Sequence, residues 1–192
     1  LMDPVYPYYP GKTHLLDGTP TLVPTARDGG LDVDAIREAA SEDTALIVLN
    51  TPNNPTGAVY DLDAVREVVD VAAAVDALVV VDEVYGRFDL SGSFESALSL
   101  DDDRVIVTSG FSKSMAITGF RVGYGAFPEA HVDDAKTRHM LVNVAGARPS
   151  QYAVHHALAE TPPEYYAESR ELLADRVAAF TDALDAAGAE YS

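Results

Sequence analysis

The chain has 192 residues, 47% of them hydrophobic, enough for one substantial core, and no stretch approaches the roughly 20 apolar residues of a membrane span. With no cysteine it has no disulfides, thiolate metal sites or cysteine nucleophiles, which fits a cytoplasmic enzyme. Thirty-one acids against thirteen Lys and Arg give a net charge of −18; this repels the phosphates of nucleic acid and anionic membranes, argues against both as partners, and resembles the surface of salt-adapted, halophilic proteins.

The opening LMDPVYPYYPGK has no basic region followed by an apolar run, so it does not read as a signal or targeting segment. Thr21 to Val23 reads as a short strand, Val33 to Ala40 as a helix and Ala45 to Asn50 (ALIVLN) as a buried strand. Asp61 to Val75 is predicted helical, with Leu62, Val65, Val68, Val69 and Ala72 on one stripe. Leu78 to Asp82 (LVVVD), Arg104 to Ser109 (RVIVTS) and Arg121 to Ala126 are further strands. Continuous apolar strands separated by helices predict an α/β fold in which a mainly parallel sheet is sandwiched by helices, with ligands at the carboxyl ends of its strands. After Ala126 the pattern turns helical, over Asp133 to Val142, Ser150 to Glu160 and Pro163 to Ala187. No internal repeat, low-complexity tract or linker interrupts the chain, which reads as one domain followed by a departing helix.

The polar residues at the strand ends carry the chemistry. Asn50 is followed by TPNNPTG, where two prolines fix the backbone and Gly57 permits a turn, so the loop can aim an amide such as that of Asn54. Asn-Pro-Thr-Gly on its own is also a common turn. Asp82 ends an apolar strand, where a carboxylate is costly to bury without a cation or donors; taken alone it also reads as a helix cap or a structural salt bridge. The next strand leads to Gly110-Phe111-Ser112-Lys113-Ser114, and Lys113 is one of only three lysines, with Lys12 and Lys136. In a semi-buried pocket a lysine loses part of its preference for the charged form, and the neutral amine can attack a carbonyl to form an imine. Eight residues on, Arg121 stands near Gly119 and Gly123, where a guanidinium can grip a phosphate and glycines let backbone come close. A lysine beside a phosphate clamp points to a phosphorylated aldehyde.

Other polar groups read as structural. His14, His131, His139, His155 and His156 show no metal-ligand spacing, and Asp101 to Asp103 read as a solvated turn. Tyr8, Tyr9, Tyr165 and Tyr166 suit packing as well as a substrate entrance, and they receive no role. The GYG at 123–125 is too short for a dinucleotide fingerprint.

NNPTG, VVVDEVYGRF and SGFSKSMAITGFRVGY occur in the order found in class I/II aminotransferases of the fold-type I pyridoxal-phosphate family, which the chain resembles over nearly all of residues 1–160. The opening DPVYPYY also resembles the family's segment that lays an aromatic ring over the cofactor. The resemblance implies that Lys113 carries pyridoxal 5'-phosphate as a Schiff base and shuttles the substrate proton. Asp82 would pair with the pyridine nitrogen, Asn54 and Tyr85 with the phenolic oxygen, Arg121 and Ser112 with the phosphate, and Tyr6 with the ring face. Gly110 stands where many relatives have a phosphate-binding hydroxyl, leaving that contact to a backbone amide or to Ser109. By the same resemblance residues 1–160 are part of the cofactor-binding large domain, and 161–192 form a long helix leading into a small domain. The family's upstream phosphate loop and downstream carboxylate-binding arginine are expected outside this chain, which then reads as the middle of a longer protein, doubtful as an independent catalyst. A homodimer is implied, with an amino acid and a 2-oxo acid as substrates. A carbon-sulfur lyase, a cyclopropane-forming synthase, a decarboxylase, or the effector domain of a transcription regulator would keep the same residues.

Overall fold

A computed structural model describes residues 1–190. Two short strands, Met2–Asp3 (β1) and Val23–Pro24 (β2), pair in parallel, and the helix Tyr8–Leu15 (α1) lies between them in sequence. The helix Val33–Ala39 (α2) leads to the strand Leu46–Asn50 (β3), the helix Leu62–Ala74 (α3) and the strand Leu78–Asp82 (β4). The strand Val105–Gly110 (β5), the four-residue helix Phe111–Ser114 (α4) and the strand Gly123–Ala126 (β6) follow. Three helices complete the described chain: Glu129–Asn143 (α5), Arg148–Glu160 (α6) and Glu164–Ala186 (α7). Each matches an element expected from the sequence to within a few residues, except β1, α1 and α4, which are too short or too polar to carry a periodic signal.

The main sheet runs β3-β4-β5-β6, parallel at β3–β4 and β4–β5 and antiparallel at β5–β6. The α/β reading is correct, and the sheet is mixed because of the last connection. Between β5 and β6 lie only α4 and a single 3₁₀ turn at Thr118–Phe120, too little chain to return to the start of a parallel strand.

The parallel part is held by α3. Asp61 caps its N-terminus, accepting from the amides of Asp63 and Ala64, and its buried face is Val65, Val68, Val69, Val71 and Ala72. Asp76, just past its end, takes a left-handed φ of 58°, a conformation aspartate tolerates better than most residues. This face shares one apolar cluster with Ile47 and Leu49 of β3, Val79 and Val81 of β4 and Val105 and Val107 of β5. On the opposite face Val48 and Val80 are half-buried. Ile106, Met115 and Val154 of α6 are buried outside that cluster, so the second face is covered more lightly.

α5 and α7 bury no residue. α7 touches the Gly86–Phe88 turn, where the Arg87 guanidinium sits 4.9 Å above the Tyr166 ring. Tyr191 and Ser192, the end of the expected 161–192 segment, lie outside the described residues. Among the described residues no helix is long and apolar enough to cross a membrane.

Leu49 is fully buried in the main cluster, whereas Leu172 of α7 is half-exposed. Leu49→Ala is expected to lower the unfolding free energy in urea by about 3 kcal/mol, and Leu172→Ala to change it by less than about 0.5 kcal/mol.

Candidate active site

The parallel register sets Asn50 of β3 opposite Asp82 of β4, and Asp82 opposite Thr108 of β5, so three strands end along one edge of the sheet. Asn50 fastens two of those ends. Its amide donates to the Asp82 carbonyl at 3.0 Å, and its side-chain oxygen accepts from the Asn54 amide at 2.8 Å. The backbone amide of Thr51 donates to the same Asp82 carbonyl.

Asn53 holds the TPNNPTG loop from inside. It is buried, its oxygen accepts from the Thr56 amide and hydroxyl, and its NH₂ donates to the Tyr60 hydroxyl at 3.4 Å. The Thr51 hydroxyl accepts from the Tyr60 amide at 2.9 Å, and Gly57 takes the positive φ of 75° expected of a turn glycine. The loop therefore has the rigidity its prolines suggest, with buried side-chain hydrogen bonds adding to it. It directs Asn54, whose NH₂ lies 3.5 Å from the Tyr85 hydroxyl.

The adjacent carboxylates of Asp82 and Glu83 have different surroundings. Asp82 Oδ1 accepts from the Val84 amide at 3.1 Å, and Oδ2 accepts from the Tyr9 hydroxyl at 2.5 Å. Among the described residues no cation pairs with Asp82. The Tyr6 ring meets Tyr9 edge-on, with centroids 5.7 Å apart. Glu83 is buried and accepts from the Ser96 hydroxyl and the Ala97 amide, both at 2.7 Å. Burial pushes its pKa above the usual carboxylate value against the opposing pull of those two bonds. Glu83 anchors the chain at residues 96–97, while Asp82 remains at the strand edge.

Lys113 lies on α4 just past β5, with Nζ 5.5 Å from the centroid of the Tyr85 ring. The close pairing of β5 with β6 brings Arg121 near this turn, and two opposed glycines make that pairing possible. A Cβ on Gly123 would meet the Ser109 carbonyl at 2.9 Å, and one on Gly110 would meet the Val122 carbonyl at 3.1 Å. Gly123 thus serves an approach of backbone to backbone, while Gly119 faces open space. The Arg121 guanidinium donates to the Thr118 carbonyl at 2.7 Å, and the Thr118 hydroxyl donates to the Ser112 carbonyl at 3.1 Å. Among the described residues Arg121 pairs with no carboxylate, and neither the Ser112 hydroxyl nor the Lys113 amine has a hydrogen-bond partner. The Ser109 hydroxyl donates to the Glu83 carbonyl at 3.3 Å.

The candidate residues therefore form three linked groups along one sheet edge: Asn54, Tyr85 and Lys113; Asp82 with Tyr6 through Tyr9; and Ser112 with Arg121 through Thr118. A cavity of about 650 Å³ opens beside Asn54 and Tyr85, walled by Pro55, Phe88 and Leu90. Tyr9, Asn50 and Asn53 are the parts that sequence reasoning did not assign. Tyr9 carried no local signal, because the helix it stands in is too short and polar to be read from the sequence.

An α/β sheet with an amine, a carboxylate, an amide and a phenol at the carboxyl ends of neighbouring parallel strands is the arrangement of a ligand-binding α/β enzyme. The family model "Aminotransferase class I and II" matches residues 1–192, and the chain belongs to that family. It is 36% identical over 160 residues to aromatic-amino-acid aminotransferase 2 of Thermococcus litoralis, covering 81% of this chain and 41% of that protein. Among solved structures it resembles the alanine aminotransferase of Pyrococcus furiosus, with 31% identity, TM-score 0.86 and coverage of 96% of this chain and 49% of that one. It likewise resembles a double mutant of Thermus thermophilus aspartate aminotransferase, with 26% identity, TM-score 0.91 and coverage of 97% and 50%. The chain thus spans about half, or less, of the length of these relatives.

Tyr60 supports the loop that carries Asn54, and burial pushes its phenol from 10.0 up to about 12, against the opposing pull of the Asn53 amide. Because the folded state holds that proton more tightly than the unfolded chain, the stability it contributes is complete below pH 10.0 and is lost as the pH rises towards about 12. Urea melts across that range should show a shallower loss of stability in Tyr60→Phe than in the wild type; equal slopes would contradict the assignment.

Proposed function

We propose that the protein is an aminotransferase that uses pyridoxal 5'-phosphate to move an amino group between an amino acid and a 2-oxo acid. The observation that carries this reading is the meeting of Asn54, Asp82, Tyr85 and Lys113 at the ends of three adjacent parallel strands, in a chain of the class I and II aminotransferase family.

The residues fit that cofactor by the chemistry of their donors and acceptors. Among the described residues Arg121 and the Ser112 hydroxyl have no anionic partner, and together they would hold the phosphate. Asp82 has no cation beside it among the described residues, which suits it to a ring nitrogen that carries a proton. Asn54 and Tyr85, 3.5 Å apart, would donate to the phenolic oxygen, and Tyr6 would pack on the ring face. When bound, pyridoxal phosphate supplies an aldehyde that condenses with amines and a ring that takes up the electron pair released at the substrate Cα.

The protein's own part is binding, orientation and proton movement. Lys113 Nζ would hold the aldehyde carbon between substrates; freed by the incoming amino acid, it would take the proton from Cα and deliver it to that former aldehyde carbon. Asp82 would face the ring nitrogen and favour its protonated form. Asn54 and Tyr85 would donate to the phenolic oxygen and favour its anionic form. Residues 1–160 act in this reading as part of the cofactor-binding domain, and 161–192 as the helix towards a second one. A homodimer belongs to the same proposal, supported by Met140, Leu141, Val142 and Val144, which stand exposed around the end of α5. A cytoplasmic, salt-rich setting is supported by the absence of cysteine and the net charge of −18.

In the whole protein, incubation with a suitable amino acid should give stoichiometric 2-oxo acid and pyridoxamine phosphate; ammonia and pyruvate instead would refute the transaminase reading. Borohydride treatment of the loaded protein should leave the cofactor's mass on the peptide containing Lys113. Lys113→Ala should lose that label and at least about 10³-fold in kcat. The setting is tested separately: raising KCl from about 0.1 M to about 2 M should raise the melting temperature as screening relieves self-repulsion, and a flat or falling response counts against salt adaptation.

A further inference from the structure

The shortest side-chain contact to Asp82 comes from a residue that the proposed reaction does not use. The Tyr9 hydroxyl donates to Asp82 Oδ2 at 2.5 Å, joining residues 73 positions apart, and the Val84 amide occupies Oδ1. Among the described residues no ammonium or guanidinium pairs with this carboxylate, so these two donors account for its hydrogen bonding within the protein. A carboxylate held by one oxygen alone would still turn about its side-chain torsions, whereas donors on both oxygens define its plane. Hydrogen bonds to a charged acceptor are also stronger than neutral ones.

Tyr9 is built to remain a donor. Burial first, then the hydrogen bond and charge of Asp82, push its phenol well above the ordinary tyrosine value, so it keeps its proton throughout the neutral range. It stands in the first turn of α1, and its backbone carbonyl accepts from the Thr13 hydroxyl at 2.9 Å. Its ring meets that of Tyr6 edge-on, so the residue that grips Asp82 is packed against the one assigned to the cofactor's face.

We propose that Tyr9 is a positioning residue, whose hydroxyl fixes the Asp82 carboxylate in the orientation that receives the ring nitrogen of pyridoxal phosphate. The inference rests on the function proposed above, and it concerns a group to which that function assigns no contact with cofactor or substrate. A purely architectural Tyr9 would tie α1 to the sheet and be indifferent to that nitrogen.

The two roles separate by binding rather than by turnover. Whole protein freed of cofactor is titrated with pyridoxal phosphate and with its 1-deaza analogue, in which C–H replaces the ring nitrogen, and binding is followed by absorbance. Tyr9→Phe keeps the ring and removes only the hydroxyl; it should weaken pyridoxal phosphate about tenfold, the loss expected for a buried bond to a charged group, and leave the analogue's affinity unchanged. An unchanged affinity for pyridoxal phosphate, or an equal loss for both compounds, overturns the proposal. Asp82→Asn supplies a second arm: in that background Tyr9→Phe should cause no further loss, and a full additive loss overturns the proposal as well. If the wild type binds no pyridoxal phosphate, this inference falls together with the proposed function. If it binds but Tyr9→Phe does not discriminate between the two compounds, only this inference falls.

Discussion

The parallel register of β3, β4 and β5 is the constraint on which the rest of the site depends. It is set by burial, because Leu49, Val79, Val81 and Val107 all enter the apolar layer beneath α3, and a slip of one residue would turn each to the wrong face. Once that register is fixed, Asn50, Asp82 and Thr108 share one edge, and the loops that follow must start there. The chemistry gathers at this edge because the core beneath permits only one alignment.

At such an edge the ladder of backbone hydrogen bonds ends, and side chains take over. Asn50 bridges the Asp82 carbonyl and the Asn54 amide, Ser109 reaches the Glu83 carbonyl, and Asn53 closes its own loop from within. Strand-end polar groups that would otherwise be costly to bury become the framework that aims Asn54 and Tyr85. The same logic separates the carboxylates of Asp82 and Glu83. Glu83 is buried and spends its oxygens on the chain at residues 96–97, whereas Asp82 is met by a phenol and one amide and, among the described residues, has no cation beside it. The glycine pair at positions 110 and 123 plays a comparable part: without side chains there, β6 can lie against β5 closely enough to bring Arg121 back towards Lys113.

The sequence by itself determined the layered α/β core, because valine-rich strands and the amphipathic stripe of α3 depend only on local periodicity. It also singled out the candidate residues, since Asn54, Asp82, Tyr85 and Lys113 each sit at or just beyond a strand end and Arg121 just before β6, in motifs whose order is that of one family. The direction of β6 was a different matter. Its strand character was legible, but its antiparallel pairing follows from how little chain α4 and the 3₁₀ turn supply, a condition of three-dimensional reach. The opposed roles of Asp82 and Glu83 likewise needed the fold, because neighbouring identical charges differ only in what each meets. The contact of Tyr9 with Asp82 spans 73 residues, and a pairing at that separation leaves no trace in local pattern. Tertiary structure alone decided it, by closing α1 over the end of β4, where an unpaired carboxylate needed a donor.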